Sequence, residues 1–170
     1  MPRLALATIP LVPLLTSLAL APITVMPPTL PEQMQDCARA LGEERYADAV
    51  APCKAVLAAA EKSGATPPIA SALSNLALAY FGQGDWAGGE PYQKRVAELR
   101  EKEGAPDGLT IGTLQRLAAV YRKLGRSADA AAVEARAAKA KVACERSLSP
   151  DERAAPRTAC EAPPLPPFFR

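Results

Sequence analysis

The most informative absence in this 170-residue chain is histidine, of which it has none. Histidine is the commonest general base in enzymes and the commonest nitrogen ligand of zinc, and both Ser-His-Asp and Cys-His catalysis depend on it. The glycine-rich stretch GQGDWAGG (residues 82–89) lacks the Lys-Ser/Thr ending of a phosphate-binding loop and follows no strand, so we interpret it as a helix–helix turn. We therefore expect a protein that is not an enzyme and holds neither a cofactor nor a metal.

Aromatic residues are also scarce, at 5% of the chain against 49% for all apolar residues. A core made mainly of Ala and Leu favours packed helices over a sheet, which needs more β-branched and aromatic side chains. The net charge is only +2, and no basic block is interleaved with aromatic residues. The composition thus predicts an all-α protein that does not bind nucleic acid.

Charge is missing from the beginning of the chain, where no charged residue occurs between Arg3 and Glu32. A positive start, an apolar run over residues 4–21 and small residues near its end are typical of a secretory signal. We predict a signal peptide at residues 1–21 and a proline-rich linker at residues 22–31. An uncleaved membrane anchor is the alternative, although Pro10 and Pro13 interrupt the run and Pro22 follows it. Both interpretations place the rest of the chain outside the cytoplasm, in the periplasm or cell envelope, and only the anchor would contact the membrane.

One apolar pattern, Leu-x-x-Leu-Ala-x-x-Tyr-x-x-x-Gly, begins at Leu73 and again at Leu114. Its i, i+3, i+4, i+7 spacing is one face of an α-helix, and the glycine follows where the helix would end. The same spacing begins at Met34. One helical hairpin cannot bury its apolar face alone, whereas stacked hairpins can, so the pattern predicts three helix–turn–helix repeats. These lie at about residues 32–63, 70–103 and 110–144.

The helical period fades beyond the third repeat. Ser149 and Glu152 have the spacing of a capping box, so residues 145–162 are predicted to be a short segment that caps the last repeat. The proline-rich sequence that follows favours an extended or disordered chain, and residues 163–170 are predicted to be a disordered tail.

The four cysteines contain no Cys-x-x-Cys pair, but Cys37 and Cys53 are 16 residues apart, as are Cys144 and Cys160. Four cysteines allow three pairings, and free buried thiols are a further alternative. Because export leads to an oxidising compartment, we predict disulfides Cys37–Cys53 and Cys144–Cys160. The first would bridge the helices of one hairpin, and the second would fasten the tail to the last helix.

The units LSNLALAYFGQGDW (residues 73–86) and LQRLAAVYRKLGRS (residues 114–127) resemble the tetratricopeptide repeat family, in particular the longer repeats of kinesin light chains. The resemblance extends over about residues 32–144. It implies a short right-handed α-solenoid in which the first helix of each hairpin lines a concave groove. In that family the groove holds an extended peptide or a partner helix. One departure is Gly89, which stands where the family usually has alanine.

Carried over residue by residue, the resemblance gives a set of groove positions. The predicted partner-binding residues are Asn75, Arg116, Ser74, Leu78, Phe81, Gln115, Arg122 and Arg39, with Gln35, Asp36 and Ala119 facing the same groove. The family's carboxylate-binding version has Asn and Arg where this chain has Asn75 and Arg116, but Gln35 and Gly112 replace its lysines.

These positions lead to the hypothesis of an exported adaptor or scaffold that binds a protein or peptide through an acidic side chain or a C-terminal carboxylate. Two alternatives stay open. The polar groove residues are ordinary solvated side chains, or the chain is a structural subunit of an envelope complex or homo-oligomer.

Overall fold

The computed structural model describes residues 28–104, 106–154 and 159–169, and over these residues it is all-helical. The elements in chain order are α1 (Leu30–Gly42), α2 (Tyr46–Ser63), α3 (Thr66–Gly82), α4 (Trp86–Lys102), α5 (Gly108–Lys123), α6 (Ser127–Ser147), α7 (Pro150–Ala154) and a 3-10 turn (Pro167–Phe169). The predicted all-α fold is confirmed for this part of the chain. The predicted signal peptide at residues 1–21 lies outside the described residues.

The first six helices form three hairpins, because each helix packs chiefly on its neighbour in sequence. The leucines of the repeated pattern lie between the helices: Leu73, Leu76, Leu114 and Leu117 are each at most 1% exposed. The helical period therefore identified the buried face of α3 and α5 correctly. Contacts of α2 with α3 and of α4 with α5 join the hairpins into one stack.

The turn inside each hairpin contains one residue with a left-handed backbone conformation. Gly84 (φ 77°) and Gly125 (φ 72°) occupy it in the second and third hairpins, and Glu44 (φ 57°) occupies it in the first. This conformation suits glycine, which has no β-carbon to clash with the backbone. The glycines at the end of the repeated pattern are thus explained by the turn they make, and Glu44 is under strain there.

Both predicted cysteine pairs are disulfides in the structure. Cys37 of α1 is bonded to Cys53 of α2, with Cα atoms 5.0 Å apart. Cys144 of α6 is bonded to Cys160, with Cα atoms 5.7 Å apart. The first bond ties the helices of the first hairpin together, and the second holds the beginning of the proline-rich sequence against α6.

Residues 159–169, named here the docked segment, lie along α5. The backbone amide of Gly108 donates to the carbonyl oxygen of Ala159 over 2.7 Å. At the other end, Phe169 is only 6% exposed and packs against α3 and α5. This differs from the disordered tail that the proline content led us to expect for residues 163–170. The physical reason is that the segment ends in an aromatic pair for which the groove provides apolar contacts.

Candidate partner-binding groove

Five of the predicted partner-binding residues line one cavity between α3 and α5. The cavity has a volume of about 160 Å³, and its roof is made by two residues of the docked segment, Pro166 and Phe169. The predicted residues in its wall are Ser74, Asn75, Leu78 and Phe81 from α3 and Arg116 from α5. Side chains that the sequence placed on two separate helices thus meet in one place.

Among the described residues that line this cavity, Arg116 is the only one with a charged side chain. It is partly buried, and its guanidinium donates to the hydroxyl of Thr113 over 3.2 Å. Within the described part of the chain it forms no ion pair with a carboxylate. Burial lowers the pKa of Arg116, and the positive charge of Arg100 lowers it further. The cavity therefore contains a positive charge that none of the described acidic residues neutralises.

The polar groups around Arg116 are held in different ways. The buried amide of Gln93 donates to the carbonyl oxygen of Thr113 over 3.0 Å and so joins α4 to α5. The hydroxyl of Ser74 donates to the carbonyl oxygen of Ala70 in its own helix over 2.8 Å. The amide of Asn75, in contrast, makes no hydrogen bond to any described residue. Asn75 therefore has both of its amide donors available to a ligand, and Arg116 uses only one of its donors, in the bond to Thr113, among the described residues.

The other predicted residues lie elsewhere. Gln115 lines a different cavity, beside Lys141 and the first half of the docked segment. Arg122 is paired with Glu134 of α6 on the surface. Arg39 is paired with Asp36 over 2.5 Å within α1, and both line a separate pocket against α2. The structure therefore does not bring these residues to the cavity.

Asp107 is the N-cap residue immediately before α5, the helix that contains Arg116. Its carboxylate accepts hydrogen bonds from the amide of Thr110 over 2.7 Å and from the hydroxyl of Thr110 over 2.8 Å. Burial alone would raise the pKa of Asp107, but these bonds and the charge of Arg100 together lower it. The ionised carboxylate thus caps the helix that forms one wall of the groove.

An aromatic cluster at the edge of the groove was not predicted from the sequence. Phe81 and Trp86 are stacked on each other, and Phe169 of the docked segment packs edge to face against both, with ring centroids 5.4 Å and 5.5 Å away. Phe168 meets the ring of Tyr46 edge to face at 6.1 Å. The signal available in the sequence was the Phe-Phe pair directly after the prolines.

The groove continues past Asn75 towards α1. There a second, open cavity of about 460 Å³ is lined mainly by apolar side chains, among them Leu30 and Met34. These two side chains are 41% and 54% exposed. Asn75 lines both cavities, so it lies between a half of the groove that the docked segment covers and a half that is open.

Two further properties bear on the kind of site this is. Within the described ranges, no helix is both long and apolar enough to cross a membrane. In the same ranges, no group of three or more Cys, Asp or Glu side chains is arranged to hold a metal ion. The two disulfides are typical of proteins in an oxidising, exported location.

Comparison with known families gives one match. Residues 68–141, which span nearly all of the second hairpin and most of the third, match the family model described as tetratricopeptide repeat. No curated protein matches the chain. The matched region includes α3 and α5, the two helices that form the cavity around Arg116.

Proposed function

Because the chain belongs to the tetratricopeptide repeat family, we propose that it is an exported adaptor whose groove between α3 and α5 binds a protein or peptide. Repeats of this family form protein–protein interaction modules and are generally not enzymes. The partner presents an acidic side chain or a C-terminal carboxylate to Asn75 and Arg116.

The observation that carries this proposal is the environment of Arg116. Charged side chains that leave water are normally paired, since an unpaired buried charge is costly. Arg116 lies in a partly enclosed cavity without a carboxylate partner among the described residues. A carboxylate from outside would accept two parallel hydrogen bonds from the guanidinium, and Asn75 would donate to or accept from the neighbouring backbone.

Export is supported by two features of the chain. Both cysteine pairs are oxidised in the structure, and the first 21 residues have the composition of a secretory signal. We infer a periplasmic or cell-envelope location for the folded domain. The mass of the protein purified from its native envelope tests this, with a mature chain beginning near residue 20 expected and an intact Met1 in the membrane fraction contradicting it.

The binding role is tested by comparing variants in one capture experiment. The parent domain, from residue 28 onward, is used to capture partners from envelope extracts, and the affinity of the captured partner is then measured for Arg116→Ala and Asn75→Ala. A charge-assisted hydrogen bond contributes about 1.5–3 kcal/mol, so the loss of Arg116 should weaken binding roughly tenfold or more.

Arg136→Ala is the matched control, because Arg136 is paired with Glu101 on the surface, away from the cavity. Equal affinity of the parent and the two groove variants would refute the groove proposal. If light scattering instead shows a mass that rises with concentration, the chain is a self-assembling subunit.

A further inference from the structure

The docked segment follows α5 from its beginning towards its end. It starts at the hydrogen bond between Ala159 and Gly108, passes Gly112 at Pro163, and ends with Phe169 against Ala119 and Val120. Residues 161–166 have no helix or strand hydrogen bonding, so the segment lies in the groove as an extended chain. This is the arrangement of a bound peptide.

The surface of α5 is shaped to admit this chain. A β-carbon on Gly108 would lie 2.3 Å from the carbonyl oxygen of Glu161, and one on Gly112 would lie 2.9 Å from Cδ of Pro163. The two glycines are four residues apart and so share one face of the helix. A glycine inside a helix lowers the stability of the helix by about 1 kcal/mol relative to alanine. The packing of the docked segment on the face of α5 that contains Gly108 and Gly112 offsets this loss.

The aromatic pair is the anchor of the segment. Phe168 and Phe169 join Phe81 and Trp86 in one cluster, in which ring centroids of neighbours lie 5.1 to 6.4 Å apart. Buried aromatic side chains commonly provide a large part of the binding energy of an interface. Phe169 is such a side chain, since it is only 6% exposed.

The segment leaves one requirement of the groove unmet. Pro166 and Phe169 cover the cavity, but no described residue of the segment pairs with Arg116. A partner with the same proline and aromatic side chains and an additional carboxylate would make every contact of the docked segment and would also pair with Arg116.

We propose that the docked segment is an intramolecular ligand of the groove, and that the partner is an extended, proline-rich peptide with an aromatic anchor that displaces it. This rests on the proposed function of the groove and adds the chemistry of its ligand and a means of regulation. The disulfide at Cys160 keeps the segment close to its site. A short tether of this kind gives an effective concentration of about 1 mM, so a free peptide must compete with it.

The test uses a chain that ends after Ala162 and a labelled, amidated peptide of residues 163–169, the part of the docked segment that this chain lacks. The peptide should bind the shortened chain at least tenfold more tightly than the full chain, in which the site is occupied. Emission of Trp86, the only tryptophan in the sequence, reports the same event, because Phe168 and Phe169 contact its ring. The matched control is the peptide with Phe168→Ala and Phe169→Ala, which should not bind.

A second route opens the groove without shortening the chain. Phe168→Ala and Phe169→Ala together remove the anchor of the docked segment from the full chain and leave the groove itself unchanged, and Gly42→Ala, where no described atom lies within 4 Å, is the control. The double variant should bind the peptide more tightly than the parent does, and Gly42→Ala should not. Equal peptide affinity for the full and shortened chains, or no binding to a shortened chain that circular dichroism shows to be folded, would overturn the proposal. A dimeric full chain that becomes monomeric on shortening would overturn it as well, since the segment would then fill a second copy.

The two proposals fail separately. The amidated peptide has no group that pairs with Arg116, so its binding should change less than threefold in Arg116→Ala. If this peptide binds while a captured partner has the same affinity for Arg116→Ala as for the parent, the carboxylate proposal fails and the docked-ligand proposal stands. If the captured partner loses affinity for Arg116→Ala but the peptide does not bind the shortened chain, the docked-ligand proposal fails and the carboxylate proposal stands.

Discussion

The ring of Phe81 lies directly over Gly89, so closely that a β-carbon on Gly89 would come within 2.3 Å of Cε1 of Phe81. Gly89 is the position where the tetratricopeptide family usually has alanine, and the third hairpin has Ala130 there. The glycine is explained by Phe81, which is 2% exposed and supports both the cavity and the aromatic cluster.

The first prediction follows from this contact. Gly89→Ala should lower the free energy of unfolding by about 1–3 kcal/mol, because the methyl group displaces a buried ring that packs against Trp86 and Phe169. Helix propensity alone predicts the opposite sign, a gain of about 1 kcal/mol. Urea unfolding decides between the two expectations. A variant more stable than the parent would contradict the prediction, because it would show that the Phe81 ring can move aside without loss of stability.

The second prediction concerns the turn of the first hairpin. Glu44 has the left-handed conformation that glycine has in the other two turns, so Glu44→Gly should raise the free energy of unfolding by up to about 1 kcal/mol. Gly84→Ala is the matched reverse change and should lower it. Thermal unfolding of the two variants beside the parent is the measurement, and a destabilised Glu44→Gly chain would contradict the account.

The helices were predictable because their information is local. Leu73, Leu76 and Gly84 show the buried face and the end of α3 within twelve residues, and the same residues recur in α5. The left-handed conformation of Glu44 could not be predicted, since a charged side chain gives no sign of it.

The third prediction separates the two disulfides, which close loops of the same sequence separation, 16 residues. Replacing Cys37 and Cys53 by alanine should lower the free energy of unfolding by about 3 kcal/mol, because the bond joins two core helices. Replacing Cys144 and Cys160 should in addition release the docked segment and shift the emission of Trp86 to longer wavelength. A Trp86 shift that follows the first replacement and not the second would contradict this assignment.

The fourth prediction is a pH dependence that arises at Asp107. Its pKa is lowered in the folded chain, so the stability it contributes is full above about pH 4 and is lost as the pH falls through the lowered value. Asp107→Asn keeps an acceptor at the beginning of α5 but removes the charge. The parent should therefore be more stable than this variant by about 0.3–1 kcal/mol at pH 7.

That difference should shrink towards zero in acid, as urea midpoints measured between pH 2.5 and pH 7 would show. A difference that is constant over this range would mean that the charge of Asp107 contributes nothing.

The candidate site was predictable only in part. The groove positions of Asn75 and Arg116 were carried over from the family resemblance, and the repeated pattern puts these two residues at equivalent positions of α3 and α5. Arg122 and Arg39 were assigned to the groove by the same rule, but nearby carboxylates pair with them instead. Gly112 was noted only as a missing lysine, whereas in the structure it makes room for Pro163.

The docked segment itself could not be placed from the sequence. Prolines favour an extended chain but do not say what it packs against, and its contacts with Gly112 and Phe81 join residues 51 and 88 positions apart. Such non-local contacts leave no periodic pattern in the sequence. The one local signal is the pair Gly108 and Gly112 on one face of α5, which indicates that another segment packs closely on this helix.

The most direct test of the central claim, that the groove between α3 and α5 takes an extended proline-rich segment, is a nuclear Overhauser measurement on the full chain in solution. It should show contacts between the α-protons of Gly112 and the δ-protons of Pro163, and between the rings of Phe81 and Phe169. Absence of both contacts, with random-coil chemical shifts throughout residues 163–169, would contradict the claim.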